Sequence, residues 1–239
     1  MLEISLSAEK IASIGSFPIT NSLLATWIVM AILILFGLYI KNTISLVPSH
    51  IQSMAEMVIS ALYTFFESIM GHHIKKVFPL IASLFLFIIL ANWMGLLPGF
   101  GTIGFHDGEK FVPLLRGATA DLNTTIALAV IAFFAIQYFG FASLGIPYSK
   151  RFLNFSNPIM FFVGLLEIIS DVSKVISFAF RLFGNIFAGE VLLAVMAFLM
   201  PFIVPMPFFM MELFVGFIQA LVFSTLTAVF INVAVAHEG

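Results

Sequence analysis

Apolar positions run in long unbroken stretches along this chain. No Asp, Glu, Lys, Arg or His falls between Lys10 and Lys41, between Lys76 and His106, or between Asp121 and Lys150. Each gap exceeds the roughly 20 residues that carry an α-helix across a ~30 Å hydrocarbon core. The pattern predicts spans near 22–40, 77–97 and 121–145. Asn21-Ser22 and Asp121 stand where N-terminal caps are expected. After Pro158 a helical pattern continues over 158–199 with only scattered glycines. At 1.5 Å per residue it is about 60 Å long, so it must tilt steeply, bend or protrude. Pro201, Pro205 and Pro207 end it, and a fifth span follows over 208–236. Residues 47–70 differ. Ile51, Met54, Val58, Leu62, Phe65 and Ile69 step by three or four, and His50, Gln52, Ser53, Glu56, Ser60 and Glu67 fill the other positions. That reads as an amphipathic helix at the membrane interface, or as a helix packed on other chains of a complex. The expectation is an all-α polytopic membrane protein. It has five transmembrane helices plus one interfacial amphipathic helix, and its last two spans form a long tilted hairpin. No internal repeat or composition break divides residues 1–239, so one membrane domain is expected.

Composition agrees. Of 239 residues 62% are hydrophobic and 9% charged, and mean hydropathy is +1.15. A soluble domain carries about 25% charged residues, so a water-soluble enzyme is excluded. A net charge of −2 supplies no basic field for nucleic acid. The absence of Cys removes disulfides, thiolate metal sites and Cys nucleophiles. Glu3, Glu9 and Lys10 precede the first apolar run, unlike the basic lead of a cleaved signal. Lys41, Lys75, Lys76, Lys150 and Arg151 fall on one side of a five-span chain; Lys10, Lys110 and Arg116 fall on the other. By the positive-inside rule the N-terminus is expected outside and the C-terminus in the cytoplasm.

The placement of the remaining charges is the functional signal. Glu167, Asp171, Lys174, Arg181 and Glu190 share the fourth span, and Glu212 lies on the fifth. One charge at mid-bilayer costs roughly 2.5–3.5 kcal/mol on insertion scales, so these must face protein, water or a partner. At 100° per residue, Glu167, Ser170, Ser173, Lys174, Ser177, Arg181 and Asn185 fall on or beside one face. Glu190 faces elsewhere. Glu212 and Gln219, seven apart, share a face of the last span. In an antiparallel hairpin, Glu190 with Glu212 and Arg181 with Gln219 fit one register to within two residues. Two polar levels are expected, one outer and one central. For Asp171 and Lys174, three apart, a local ion pair and a transport role stand equal. For Arg181 the bland reading is a buried partner to Glu167 or Glu212. The polar file on one side and two carboxylates on the other favour a functional charge. His50, His72 and His73 read as solvated, and the Met and Phe residues as lipid-facing or packing bulk. There is no H-E-x-x-H, G-x-S-x-G or P-loop pattern. Gly99-Phe100-Gly101 and Gly104 lie in a loop between spans and do not signal a nucleotide.

The run Ser173-Lys174-Val175-Ile176-Ser177-Phe178-Ala179-Phe180-Arg181-Leu182-Phe183-Gly184-Asn185-Ile186-Phe187-Ala188-Gly189-Glu190 closely resembles the central motif of subunit a of the rotary F-type ATP synthase. So do Gln219-Ala220-Leu221-Val222-Phe223, Asn92-Trp93-Met94-Gly95-Leu96-Leu97-Pro98 and Asp121-Leu122-Asn123-Thr124-Thr125, in order from about residue 40 to the end. Relatives often carry a His at one of the two levels where this chain has Glu190 and Glu212.

The resemblance implies a non-catalytic stator channel subunit with two offset half-channels, carrying protons to and from carboxylates of a c-subunit ring. Arg181 would be barrier and rotor contact. Asn92, Asp121, Asn185, Glu190, Glu212 and Gln219 would belong to the outer half-channel. Glu167, Ser170, Asp171, Ser173, Lys174 and Ser177 would belong to the inner one. Implied partners are the c-ring, peripheral-stalk b subunits, the soluble F1 sector indirectly, and lipid, with no nucleic acid, cofactor or metal. The implied location is a bacterial inner membrane, or else a mitochondrial one. The competing class is a secondary proton-coupled transporter, for which repeated halves and a midplane substrate site are expected.

Overall fold

The fold was obtained as a computed structural model, which describes residues 8–14, 17–97, 103–107, 110–152, 157–200 and 203–235. Helices α1 (Asn21–Thr43), α2 (His50–Met70), α3 (Ile74–Gly95), α4 (Leu122–Leu144), α5 (Pro158–Leu199) and α6 (Pro205–Val235) build it. Two antiparallel hairpins, β1 (Lys10–Ile14) with β2 (Phe17–Thr20) and β3 (Gly104–Asp107) with β4 (Lys110–Pro113), lie before α1 and between α3 and α4. Five stretches of helix are long and apolar enough to cross a membrane, three of them over the charge-free gaps and two after Pro158, the number expected. The hairpins were not legible: neither segment alternates polar and apolar residues cleanly. The Gly99-Phe100-Gly101 part of that loop lies outside the described residues.

Local chemistry sets the helix ends. Thr20, not Asn21 or Ser22, caps α1: its Oγ1 accepts from Leu23 N at 3.3 Å, while Asn21 and Ser22 are buried in the first turn. Asp121 caps α4, with Oδ1 accepting from Asn123 N at 3.1 Å. Gly145 closes α4 at φ +63°, a left-handed conformation that Gly adopts without a Cβ penalty. Gly71 turns the chain between α2 and α3 at φ +54°. The rings of Tyr63 and Phe78 meet there at 5.1 Å. Along one straight helix their fifteen-residue separation would be about 22 Å, so α2 folds back against α3.

The apolar stripe of α2 is only partly used inside the chain. Leu62, Phe66 and Met70 are buried, whereas Ile51, Met54, Val58 and Phe65 are exposed. Only the part near the Gly71 bend is covered, by α3 and α6; the rest stays open, as in a helix at the interface or packed on other chains. Asn232 Nδ2 reaches Ile69 O at 3.1 Å and ties the end of α6 to the end of α2.

The core runs through α3, α4, α5 and α6. Phe66, Ile74, Ile81, Ile88, Leu182 and Ile231 are among its fully buried side chains. α5 and α6 form the expected antiparallel hairpin. The Phe178 and Phe223 rings lie tilted against each other with centres 5.0 Å apart, and Gly189 faces Glu212, within one residue of the register read from the sequence.

Candidate functional site

α5 presents three faces. Gly164, Asp171, Phe178, Ala179, Leu182 and Gly189 pack into the bundle. Val172 and Ile176 are exposed on the far side among other large apolar residues. Between these faces runs an exposed stripe of small or polar side chains: Ser170, Ser173, Ser177, Gly184, Asn185 and Ala188. Arg181 stands exposed in the middle of it, donating from Nη2 to Ser177 Oγ at 3.1 Å. Nothing lies within 4 Å of a methyl built on Gly184. Large side chains suit lipid tails; a stripe of small ones lets another helix approach closely.

The bland pairing for Arg181 does not form. Glu167 pairs with Arg151, and Glu212 is 4% exposed against Gly189. A methyl on Gly189 would run into the Glu212 carboxyl. Glu190, one residue and 100° further round, turns to Arg116. The Arg116 Nη2 to Glu190 Oε2 distance is 3.5 Å, and no hydrogen bond joins Glu190 to Glu212. Gln219 is half-buried on α6, and the hydrogen bond of Arg181 goes to Ser177 and not to Gln219.

Asn92 and Asp121 are tie points. Asn92 Nδ2 donates to Gly216 O at 2.8 Å, and Asn92 Oδ1 accepts from Thr119 Oγ1 at 2.6 Å. Trp93 Nε1 adds a bond to Leu213 O at 3.0 Å. The α3 end is thus fastened to the turn of α6 that carries Glu212. Buried Asp121 accepts from Ser22 Oγ at 2.7 Å, joining α4 to α1.

At the opposite end the polar file splits. Ser170, Ser173 and Ser177 remain on the exposed stripe, while Asp171 turns inward and is 4% exposed. Its Oδ1 takes Lys174 Nζ at 2.6 Å and its Oδ2 takes Gln137 Nε2 at 2.8 Å. Tyr148 Oη donates to Gln137 Oε1 at 3.0 Å. Burial pushes the Tyr148 hydroxyl's pKa up, against the opposing pull of Arg151, so it stays a donor. Lys174 Nζ also lies 4.8 Å from the Phe230 ring centre. The local ion pair read from the i, i+3 spacing is present, now as part of an α4–α5 clasp. Asp171→Ala would leave Lys174 and Gln137 without their acceptor inside the bundle. We expect it to lower stability by about 2 kcal/mol, short of the fully buried case because Lys174 is partly exposed. Thermal unfolding of the purified complex would read this, with Asp171→Asn losing less. Equal stability of the Ala variant would show that the clasp does not hold the helices.

Sequence reasoning missed Gln137, Tyr148, Gly189 and the partnership of Arg116. Gln137 carried a signal: it is the one amide in the charge-free stretch of α4 beyond its first turn. Among the described residues no three His, Asp or Glu side chains gather as a metal site.

Comparison with known proteins adds to this geometry. A family model described as "ATP synthase A chain" matches residues 23–232. The chain is 38% identical over 210 residues to an ATP synthase subunit a of Geotalea uraniireducens, covering 87% of this chain and 84% of that protein. The same figures hold for the subunit a of Geotalea daltonii. For that of Citrifermentans bemidjiense identity is 36% over 220 residues, covering 91% and 88%.

Proposed function

Because the chain belongs to the ATP synthase A chain family, we propose that it is the stator half of a rotary proton channel, with Arg181 as its barrier. It is a multi-pass membrane protein and a proton-translocating subunit of the membrane sector, without catalytic work of its own. The observation that carries the finer reading is Arg181, exposed in the middle of a small-residue stripe on an apolar helix. An arginine facing out of an apolar helix must meet water or a partner, and a carboxylate from another chain supplies the matching charge. The small side chains around it leave room for that chain's helices to pass.

The rest follows physically. A continuous pore would dissipate the membrane potential, roughly 2.3 kcal/mol per charge per 100 mV. Two offset half-channels separated by a fixed cation avoid this. Arginine stays protonated, so it can neutralise a passing rotor carboxylate and cannot itself hand a proton across. Glu190, Glu212, Asn185 and Gln219 line the outer path, braced by Asn92 and Asp121. Glu167 and the serines 170, 173 and 177 line the inner path, braced by the clasp of Asp171 with Lys174. The Lys and Arg bias puts the N-terminus outside and the C-terminus in the cytoplasm of a bacterial inner membrane. The c-ring runs along the stripe, and b subunits and the F1 sector complete the stator and the catalytic head.

The test is disulfide trapping in the assembled complex. Cysteine at Ser177 or Ala188 should crosslink to cysteine introduced at mid-helix of a c subunit, and cysteine at Val172 or Ile176 should not. Crosslinks from Val172 or Ile176 alone would place the rotor on the other face.

A further inference from the structure

Residues 114–121 enter α4 across the end of the bundle where α3 stops. Gly117 Cα lies 3.0 Å from a methyl built on Gly95, so the segment rests directly on α3. Thr119 is bonded to Asn92 and Asp121 to Ser22, and Ala118, Thr119 and Ala120 are buried. The backbone carrying Arg116 is therefore pinned on α3 and on α1. The Arg116 side chain is 7% exposed and that of Glu190 is 41% exposed. The Arg116 guanidinium carbon lies 5.8 Å from the Phe187 ring centre, one turn before Glu190 on α5. The fixed member of this pair is the cation, and the member that reaches water is the carboxylate.

We propose that Arg116 is a positioning residue for proton transfer. It holds the ionised Glu190 carboxylate at the outer mouth, turned away from Glu212, and releases it when Glu190 takes a proton. This rests on the reading of Glu190 as part of the outer path. The guanidinium keeps its charge at any accessible pH, so the attraction between the two changes only with the charge of Glu190. A proton arriving from water neutralises the carboxylate, the ion pair lapses, and the half-exposed side chain is free to swing inward. When the proton has passed on, the carboxylate is drawn back. The same cation offsets the repulsion between two carboxylates brought close by the α5–α6 hairpin. Without it the acceptor would have no fixed waiting position, and transfer would slow at both ends of the swing.

The experiment compares Arg116→Gln, Glu190→Gln and the double variant in the assembled complex in inverted vesicles. It reads recovery of the complex and the initial rate of ATP-driven proton uptake. Arg116→Gln should leave recovery unchanged and slow uptake by about tenfold, the scale of one lost contact to a charged group. In the Glu190→Gln background the same change should cost nothing more, because the charge that Arg116 positions is already gone. Unchanged uptake by Arg116→Gln overturns the proposal. So does an equal further loss in the Glu190→Gln background, or absence of the complex from the membrane, since either would mark a structural role independent of Glu190. Normal uptake by Glu190→Gln would instead overturn the outer-path reading of Glu190 itself.

Discussion

Arg181→Ala is expected to abolish ATP-driven proton pumping while leaving the complex assembled and its membrane passively leaky. Assembly survives because Arg181 is exposed and supported within its own chain by the Ser177 hydroxyl, not by core packing. Surface substitutions away from packed features usually stay within about 0.5 kcal/mol. Coupling fails because nothing then separates the two half-channels or neutralises an ionised rotor carboxylate on its way between them. Arg181→Lys should also fail. The ammonium lacks the planar fork and can lose its proton when desolvated, so it is a poorer barrier. Two measurements on one vesicle preparation decide the matter: proton uptake with ATP, and decay of an imposed proton gradient without it. Normal ATP-driven uptake by the Ala variant would sink the barrier role. Loss of the whole complex would return Arg181 to a structural one.

What could be read beforehand divides along physical lines. Hydrophobic runs and the positions of charges are one-dimensional, so the long apolar helices and the charged fourth span were legible. Helix periodicity is nearly so, and it placed Ser170, Ser177, Arg181 and Asn185 on one face. The α5–α6 register came within one residue. On a helix, however, one residue is 100°, and that turns Glu190 from Glu212 to Arg116. Contacts across a long sequence gap leave no local pattern. The hydrogen bond between Gln137 and Asp171 spans 34 residues, and the Arg116–Glu190 pair spans 74. Asp171 shows the effect most plainly. It shares a charged helix with Arg181, yet its neighbours from α4 make it a brace. The amphipathic stripe of α2 shows a further limit. Periodicity shows that a face is apolar, not how much of it this chain itself covers.

Gly189 offers the sharpest contrast between fold and function in the same helix. Methyl groups built on Gly164 and on Gly189 both collide, but with different things. At Gly164 the obstacle is the backbone carbonyl of Phe152, which cannot swing aside. At Gly189 it is the carboxyl end of Glu212, which can. Gly164→Ala should therefore cost stability, about 1–3 kcal/mol as overpacking does, seen as earlier thermal unfolding. Gly189→Ala should unfold close to the wild-type temperature but push the Glu212 carboxyl back until the two make ordinary contact. A misplacement of about 1 Å can cost on the order of 10²-fold in a transfer step, and that is the loss expected in ATP-driven proton uptake. Shortening the displaced side chain tests the cause. Glu212→Asp in the Gly189→Ala background withdraws the carboxyl by one methylene and should recover part of the rate, whereas Glu212→Asp alone should lower it. If Gly189→Ala pumps normally, Glu212 does not need the place beside Gly189. If it unfolds early instead, the glycine is there for packing and not for the carboxyl.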